Sequence, residues 1–196
     1  MEFKDNYEKQ IEVRILNQNF LFDLKEAAMN TIRKDASGGI PINPEIFKKY
    51  LISEHSPIRS IVLRIKFINM YYPTSVHFAR HVHSIPYVTT SRPDRIKKDR
   101  NLDNPVTHIF DINIQGLIDM MRKRLCVGCC SKDTYNWAKS LKLKLINSGD
   151  EYLKVIGEIL VPNCIYRSGC PEFKSCGFYK EDSIEKRYAN FILYEK

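Results

Sequence analysis

Between residues 60 and 69 apolar and charged side chains alternate. Ile61, Leu63, Ile65 and Phe67 fall on one face, Arg64 and Lys66 on the other. Successive strand side chains point to opposite faces, so the pattern predicts a strand with one buried side. Residues 11–16 (IEVRIL) alternate in the same way and read as a first strand. Other stretches carry a helical period instead. From Asn113 to about Cys126, the residues Ile114, Leu117, Ile118, Met121 and Leu125 form one stripe. A helix over about 133–147 turns Trp137, Leu141 and Leu145 inward, and another covers about 151–160. Phe20, Leu24, Ala27, Ala28 and Ile32 recur at near-helical spacing over 20–33, with Asn19 as N-cap. Asn43-Pro44 opens a short helix, Ser53 to Pro57 is a turn, and Pro73-Thr74 starts a helix predicted to reach about Ser84. Ser37-Gly38-Gly39 breaks the chain, and Tyr87 to Asp111 reads as strand-like pieces in a long loop. No repeat or domain boundary interrupts the chain, so residues 1–196 are expected to form one α+β domain with a Cys-rich segment at 162–177.

Composition excludes several classes. With 43% hydrophobic residues and only 8 Gly, neither a disordered chain nor a collagen-like one is expected. The most apolar run, Ile58 to Tyr72, contains Arg59, Arg64 and Lys66 and is too short to span a bilayer. The N-terminal MEFKDNYEKQ has no signal-peptide core, so a cytoplasmic location is expected, with the 6 Cys as thiols or metal ligands. A net charge of +8 favours anionic partners such as nucleotides, folates or nucleic acid. Walker, Rossmann, H-E-x-x-H and G-x-S-x-G motifs are all absent, as are helix-turn-helix and RNA-recognition signatures.

Three constellations could carry chemistry. On a helix, His77, Arg80, His81 and Ser84 share a face, followed by Arg92 and Arg95 in an extended segment. Guanidinium groups bind phosphate bidentately and imidazoles donate to a flavin or base oxygen; a solvated polar face is the plainer reading. Asn113 and Gln115 open the best helix, with Arg122 and Arg124 further along; its free N–H groups attract anions, although simple capping by Asn113 also accounts for it. The third set is Cys126, Cys129, Cys130, Cys164, Cys170 and Cys176. On a helix, Cys126 and Cys129 would put both thiols on one side. The evenly spaced Cys164, Cys170 and Cys176 fit no standard zinc-finger spacing, yet lie in a coil with few apolar residues to hold it. Zinc, an iron–sulfur cluster and buried free thiols are the alternatives.

Taken in order, these segments resemble the flavin-dependent thymidylate synthase family. Glu54-His55-Ser56-Pro57 is similar to that family's H-x-S-P-F-E-H segment. His77-x-x-Arg80-His81, with Arg92 twelve residues after Arg80, is similar to its Q-x-x-R-H-R-x-x-S-x-N-E-x-S-x-R-Y motif. Asn113-Ile114-Gln115 and Arg124-Leu125-Cys126 resemble its N-x-R … R-L-C helix. Pro162-x-Cys164, Gly169-Cys170-Pro171-Glu172 and Ser175-Cys176-Gly177 resemble its C-terminal G-P-x-C … G-x-C-P-E … S-C-G. The resemblance implies helices packed on a small, mostly antiparallel sheet, and a homotetramer with FAD at subunit interfaces. It also implies a cytoplasmic flavoprotein methyltransferase of nucleotide biosynthesis. Such an enzyme converts dUMP to dTMP with methylenetetrahydrofolate as carbon donor and NADPH as reductant. On that basis Arg80, His81 and Asn113 would contact FAD, Arg92 would hold the dUMP phosphate, and His77 replaces a nucleotide-binding Gln. Cys126, Cys164, Cys170 and Cys176 coincide with the family's pattern and would be the ligands of a metal site.

This chain departs from the pattern at defined places. The second Arg of R-H-R is Val82, and the motif's Ser, Asn-Glu and second Ser are Ile85, Tyr87-Val88 and Thr90. Its closing Tyr is Pro93, the Arg of N-x-R is Gln115, and a nucleotide-binding Arg after R-L-C is Thr134. Each lost Arg removes a charge-assisted contact worth roughly 1.5–3 kcal/mol. Arg95, Lys97, Lys98 and Arg100 are the candidate replacements. Two other readings stand beside dUMP methylation. One is a related fold that binds a nucleotide or flavin with different or no chemistry. The other is a nucleic-acid-binding protein with a structural metal, motivated by the basic run from Arg92 to Arg100.

Overall fold

The computed structural model describes residues 7–37, 41–90, 92–96 and 104–179. The Gly38-Gly39 break, Lys97, Lys98, Arg100 and the last residues of the chain lie outside them. Four strands, β1 (Ile11–Ile15), β2 (Val62–Met70), β3 (Ser84–Val88) and β4 (Val106–Asn113), form one sheet in the order β1-β2-β4-β3. Every pairing is antiparallel, with Ile65 opposite both Val13 and Phe110. The alternation that predicts β2 is realised: Ile61, Leu63, Ile65 and Phe67 are fully buried. The other face is polar. There Arg64 donates through Nε and Nη2 to both carboxylate oxygens of Asp111, each at 2.6 Å, across a registered β2–β4 pair.

Helices α1 (Phe20–Thr31), α2 (Pro44–Ile52), α3 (Tyr72–Ala79), α4 (Pro93–Ile96), α5 (Ile114–Arg124), α6 (Lys132–Ile146), α7 (Glu151–Ile159) and α8 (Asn163–Tyr166) complete the fold. On the apolar face of the sheet, Phe67 meets Phe78 of α3 at 5.0 Å, Trp137 of α6 at 5.1 Å and Phe110 at 5.5 Å between ring centroids. Burying each such ring stabilises the fold by roughly 1.5–3 kcal/mol. A second aromatic group, Phe20, Phe47 and Tyr152, ties α1, α2 and α7 together edge to face. Asn43 caps α2 by accepting from Ile46 N at 2.9 Å, with Pro44 opening the helix as its sequence predicts. Asn19 stands at the N-cap of α1, but its side chain makes no capping bond.

Two close approaches need glycine. At Gly157 a Cβ would lie 2.8 Å from Ile146 N and from Leu145 Cβ, so its absence lets α7 press against α6. At Gly116 a Cβ would lie 2.7 Å from His83 Cβ, which brings the first turn of α5 against the turn that follows α3. Lys142 of α6 is 2% exposed, and its Nζ donates to the carbonyls of Gly157, Glu158 and Leu160 at 2.9, 3.3 and 2.7 Å. It thereby closes the C-terminal end of α7.

Two sequence expectations are corrected. The helix expected to reach Ser84 ends at Ala79, and Arg80 is its C-cap. His81 to Ser84 form a turn held by Ser84 N and Oγ donating to His81 O, and Ser84 opens β3. Pro86 cannot continue a helix, and the β-branched Ile85 and Val88 pair with β4 instead. Cys126 and Cys129 are not on a helix either. Helix α5 ends at Arg124, and a turn follows in which Cys129 N donates to Cys126 O at 3.3 Å. Among the described residues no helix is long and apolar enough to cross a membrane.

Candidate functional site

The C-terminal end of α3, the last turn of α5 and the start of α6 converge. Arg124 of α5 donates through Nε to His81 Nε2 at 3.0 Å and through Nη2 to the carbonyl of His77 at 2.6 Å. Since His81 Nε2 accepts, the ring proton sits on Nδ1. His81 is held neutral: burial first, then Arg124 and His83, pull its pKa down to about 4. His77 Nδ1 pairs with Thr134 Oγ1 at 3.2 Å. Its pKa is lowered too, by burial and then by Arg124 and Arg80. Burial also disfavours the charge on Arg124; nearby Cys130 and Cys129 act the other way, and Arg80 repels it. Arg80 is exposed, and its side chain has no hydrogen bond or ion pair among the described residues. Two guanidinium groups and two imidazoles thus share one corner, and among the described residues no carboxylate contacts any of them.

The other residues singled out in the sequence lie as follows. Asn113 ends β4 and caps α5, its Oδ1 accepting from Gly116 N at 2.8 Å, which is the plain capping role. Arg92 is exposed and forms a bidentate pair with Asp94 two residues on, through Nε at 3.1 Å and Nη2 at 2.6 Å. No contact among the described residues joins it to the Arg80–Arg124 corner. Arg95 is likewise exposed, in the short α4. Thr134 is fully buried and accepts or donates to Ser131 and His77, so nothing charged stands where the family pattern has an Arg.

Beside that corner lies a network that spacing did not reveal. Glu54, at φ +50°, receives Gln115 Nε2 at 2.6 Å and pairs with Arg122 Nη2. Arg122 also donates to Asp119 at 2.9 Å, and its guanidinium lies 3.4 Å over the ring of Tyr166. The Gln at position 115 is therefore tied down by two acids. Glu54 and Arg122 are 68 residues apart, beyond any local pattern; the only signal was that each sat in a separately noted motif.

The cysteines cluster where α5 ends. Sγ of Cys126, Sγ of Cys129 and a carboxylate oxygen of Glu172 all lie within 4.8 Å of one another. Cys164 is buried, and burial, then Cys126, Cys176 and Cys170, push its thiol up to about 11. Cys130 lies beside Cys129, and its thiol meets the carbonyls of Arg124 and Cys126 at 3.4 and 3.1 Å. Of the four cysteines singled out with the resemblance, only Cys126 belongs to this close group; Cys129 and Glu172 complete it.

No protein-family profile matches the sequence, and no curated protein sequence matches it. Solved structures do match. Crystal structures of the flavin-dependent thymidylate synthase ThyX from Helicobacter pylori complexed with FAD and dUMP superpose with TM-scores of 0.51 and 0.54, at 14% and 13% identity. Each match covers 74% of this chain and 97% of that one. The UMP/dUMP methylase PolB from Streptomyces cacaoi, solved with 5-Br dUMP, superposes with a TM-score of 0.53 at 10% identity, over 74% of this chain and 94% of that one. The small antiparallel sheet and its helical cover agree with these neighbours, and the chain has the fold of the flavin-dependent thymidylate synthases.

Proposed function

We propose that this chain is a flavin-dependent methylase of a pyrimidine deoxynucleotide, with dUMP as substrate, FAD as cofactor and methylenetetrahydrofolate and NADPH as co-substrates. The observation that carries the reading is the Arg80–Arg124 pair. Two like charges near each other with no acid between them cost free energy, and an anion relieves it. The fold is that of proteins solved with FAD and dUMP. The donor set fits a flavin nucleotide: Arg80 and Arg124 offer N–H groups to phosphate, and the neutral His81, protonated at Nδ1, offers a single donor to a ring oxygen or nitrogen. When bound, FAD supplies the redox chemistry. The residues of this chain bind and orient: Arg124 fixes the His81 ring, and Thr134 fixes His77.

A homotetramer belongs to the same proposal. Strand β3 is a sheet edge, and with its preceding turn it exposes Val82 (92%), Ile85 (60%) and Tyr87 (51%). An apolar edge of this kind is normally covered. A tetramer in solution, measured by light scattering, is expected.

One observation favours a second reading, binding of a nucleotide or flavin with different chemistry. Arg92 is neutralised by Asp94, and Thr134 carries no charge where the family pattern has a nucleotide-binding Arg, so both positions offer a nucleotide little. Tritium release from 5-tritiated dUMP separates the two. Release that requires methylenetetrahydrofolate and NADPH, with dTMP formed, supports methylation. FAD and dUMP binding without release supports the second reading and removes the first.

A further inference from the structure

We propose that Cys126, Cys129 and Glu172 hold a structural zinc ion. A fourth ligand comes from one of two neighbouring thiols, Cys164 of α8 or Cys176 of the coil. Tetrahedral zinc with Zn–S bonds of about 2.3 Å places neighbouring ligand atoms about 3.8 Å apart. The three ligand atoms already lie within 4.8 Å of one another, so small side-chain rotations complete the geometry. Cys126 and Cys129 sit on one tight turn, which fixes their relative positions as in other C-x-x-C zinc half-sites. Glu172 comes from the C-terminal coil, 43 residues after Cys129 in the chain, so the site joins two segments with no other covalent tie. Gly128 lies between them: its Cβ position would be 3.8 Å from both Cys126 Sγ and Cys176 Cβ.

Charge supports the assignment. Thiolates and a carboxylate crowded together need cations. Lys123 Nζ donates to Glu172 at 2.8 Å. When both thiols ionise as ligands, a bound divalent cation supplies the compensation that one ammonium cannot. The oxygen donor favours zinc over an iron–sulfur cluster, which takes cysteine thiolates.

The coil also needs an anchor. From Arg167 to Tyr179 it has no helix or strand, and Phe173 is fully exposed. A metal that ties it to the end of α5 adds folding free energy to what the packing of Cys170, Phe178 and Tyr179 against the core supplies. It also fixes Arg124, two residues before Cys126, from behind.

The test uses the full chain purified reduced and without oxygen. Elemental analysis should find zinc at about one ion per chain. After chelation, cobalt(II) added to the apo protein should give the thiolate charge-transfer and intense visible bands of a tetrahedral site. Cys129→Ser should weaken cobalt binding by more than about tenfold, and Cys130→Ser should leave it unchanged. Circular dichroism of both variants distinguishes a lost site from a lost fold. A folded, reduced protein that retains no zinc and gives no cobalt spectrum overturns the proposal. So does iron with inorganic sulfide, or cobalt binding untouched in a folded Cys129→Ser protein.

Discussion

Arg124 Nε donates to His81 Nε2 at 3.0 Å while its Nη2 holds the His77 carbonyl at 2.6 Å. One guanidinium therefore sets the tautomer of one histidine and the backbone beside the other. Replacing it as Arg124→Met removes both contacts, each worth roughly 1.5–3 kcal/mol as a charge-assisted hydrogen bond. It also removes a cation that disfavours protonation of His81 and His77. Both histidine pKa values should rise toward the ordinary 6.5, as followed by NMR of the imidazole rings. A His81 that still titrates near 4 would show that burial alone sets it.

The protein should lose stability on mild acidification. His81 and His108 both have pKa values drawn down to about 4. The unfolded chain binds these protons at about 6.5, so between pH 6.5 and 4 it holds more protons than the folded one, and stability falls as the pH drops. His108 is the clearer case. It is fully buried among Phe67 and Phe110, and among the described residues neither ring nitrogen has a hydrogen bond of good geometry; burial dominates its shift, and the Ser75 backbone opposes it. His108→Phe should raise the melting temperature at pH 5 more than at pH 7, by thermal unfolding at both.

Glu54 anchors the turn before the sheet to α5. The Arg122 side chain is 13% exposed and Glu54's 19%, so the pair is largely dry. Glu54→Ala leaves Arg122 with Asp119 and the Tyr166 ring and should cost about 2 kcal/mol or more in urea unfolding. Glu54→Gly loses the same pair but relieves the positive φ, and should be less harmful by about 1 kcal/mol. Equal losses would deny the backbone contribution.

Lys142 is a buried cation that serves three carbonyls. Burial draws its pKa down to about 7, with the Glu158 charge acting the other way. Lys142→Met keeps the packing and takes the ammonium from the carbonyls of Glu158 and Leu160, while that of Gly157 keeps the Leu160 N–H. A loss of about 2–3 kcal/mol is expected in denaturant unfolding. An unchanged stability would mean that water replaces the ammonium.

The parts of this fold that are legible in the sequence are those whose burial pattern is local. The alternation in β2 and the stripe on α5 name the buried residues correctly because one face of each element meets the core. The Asn43-Pro44 start of α2 is legible because capping is a contact across one turn. Strand β3 was not, because it is an edge strand with Pro86 in it and its outer residues are exposed. The end of α3 was misplaced because His81 and Ser84 keep helical spacing, while the β-pairing that ends the helix lies in β4, far along the chain. At the site, the histidines and Arg80 stood out as a local cluster. The role of Arg124 did not, since it meets His81 across 43 residues. Glu172 was masked in the same way: nothing local connects it to the Cys126–Cys129 turn.

The central claim is that the Arg80–His81–Arg124 corner binds FAD. The most direct measurement is an equilibrium titration of the apo protein with FAD, read by flavin fluorescence, in wild type and in Arg124→Met shown to be folded by circular dichroism. The account predicts saturable binding by the wild type, weakened at least tenfold in the variant, about 1.4 kcal/mol. Wild type that takes up no FAD, or a folded variant that binds it equally well, would contradict the claim.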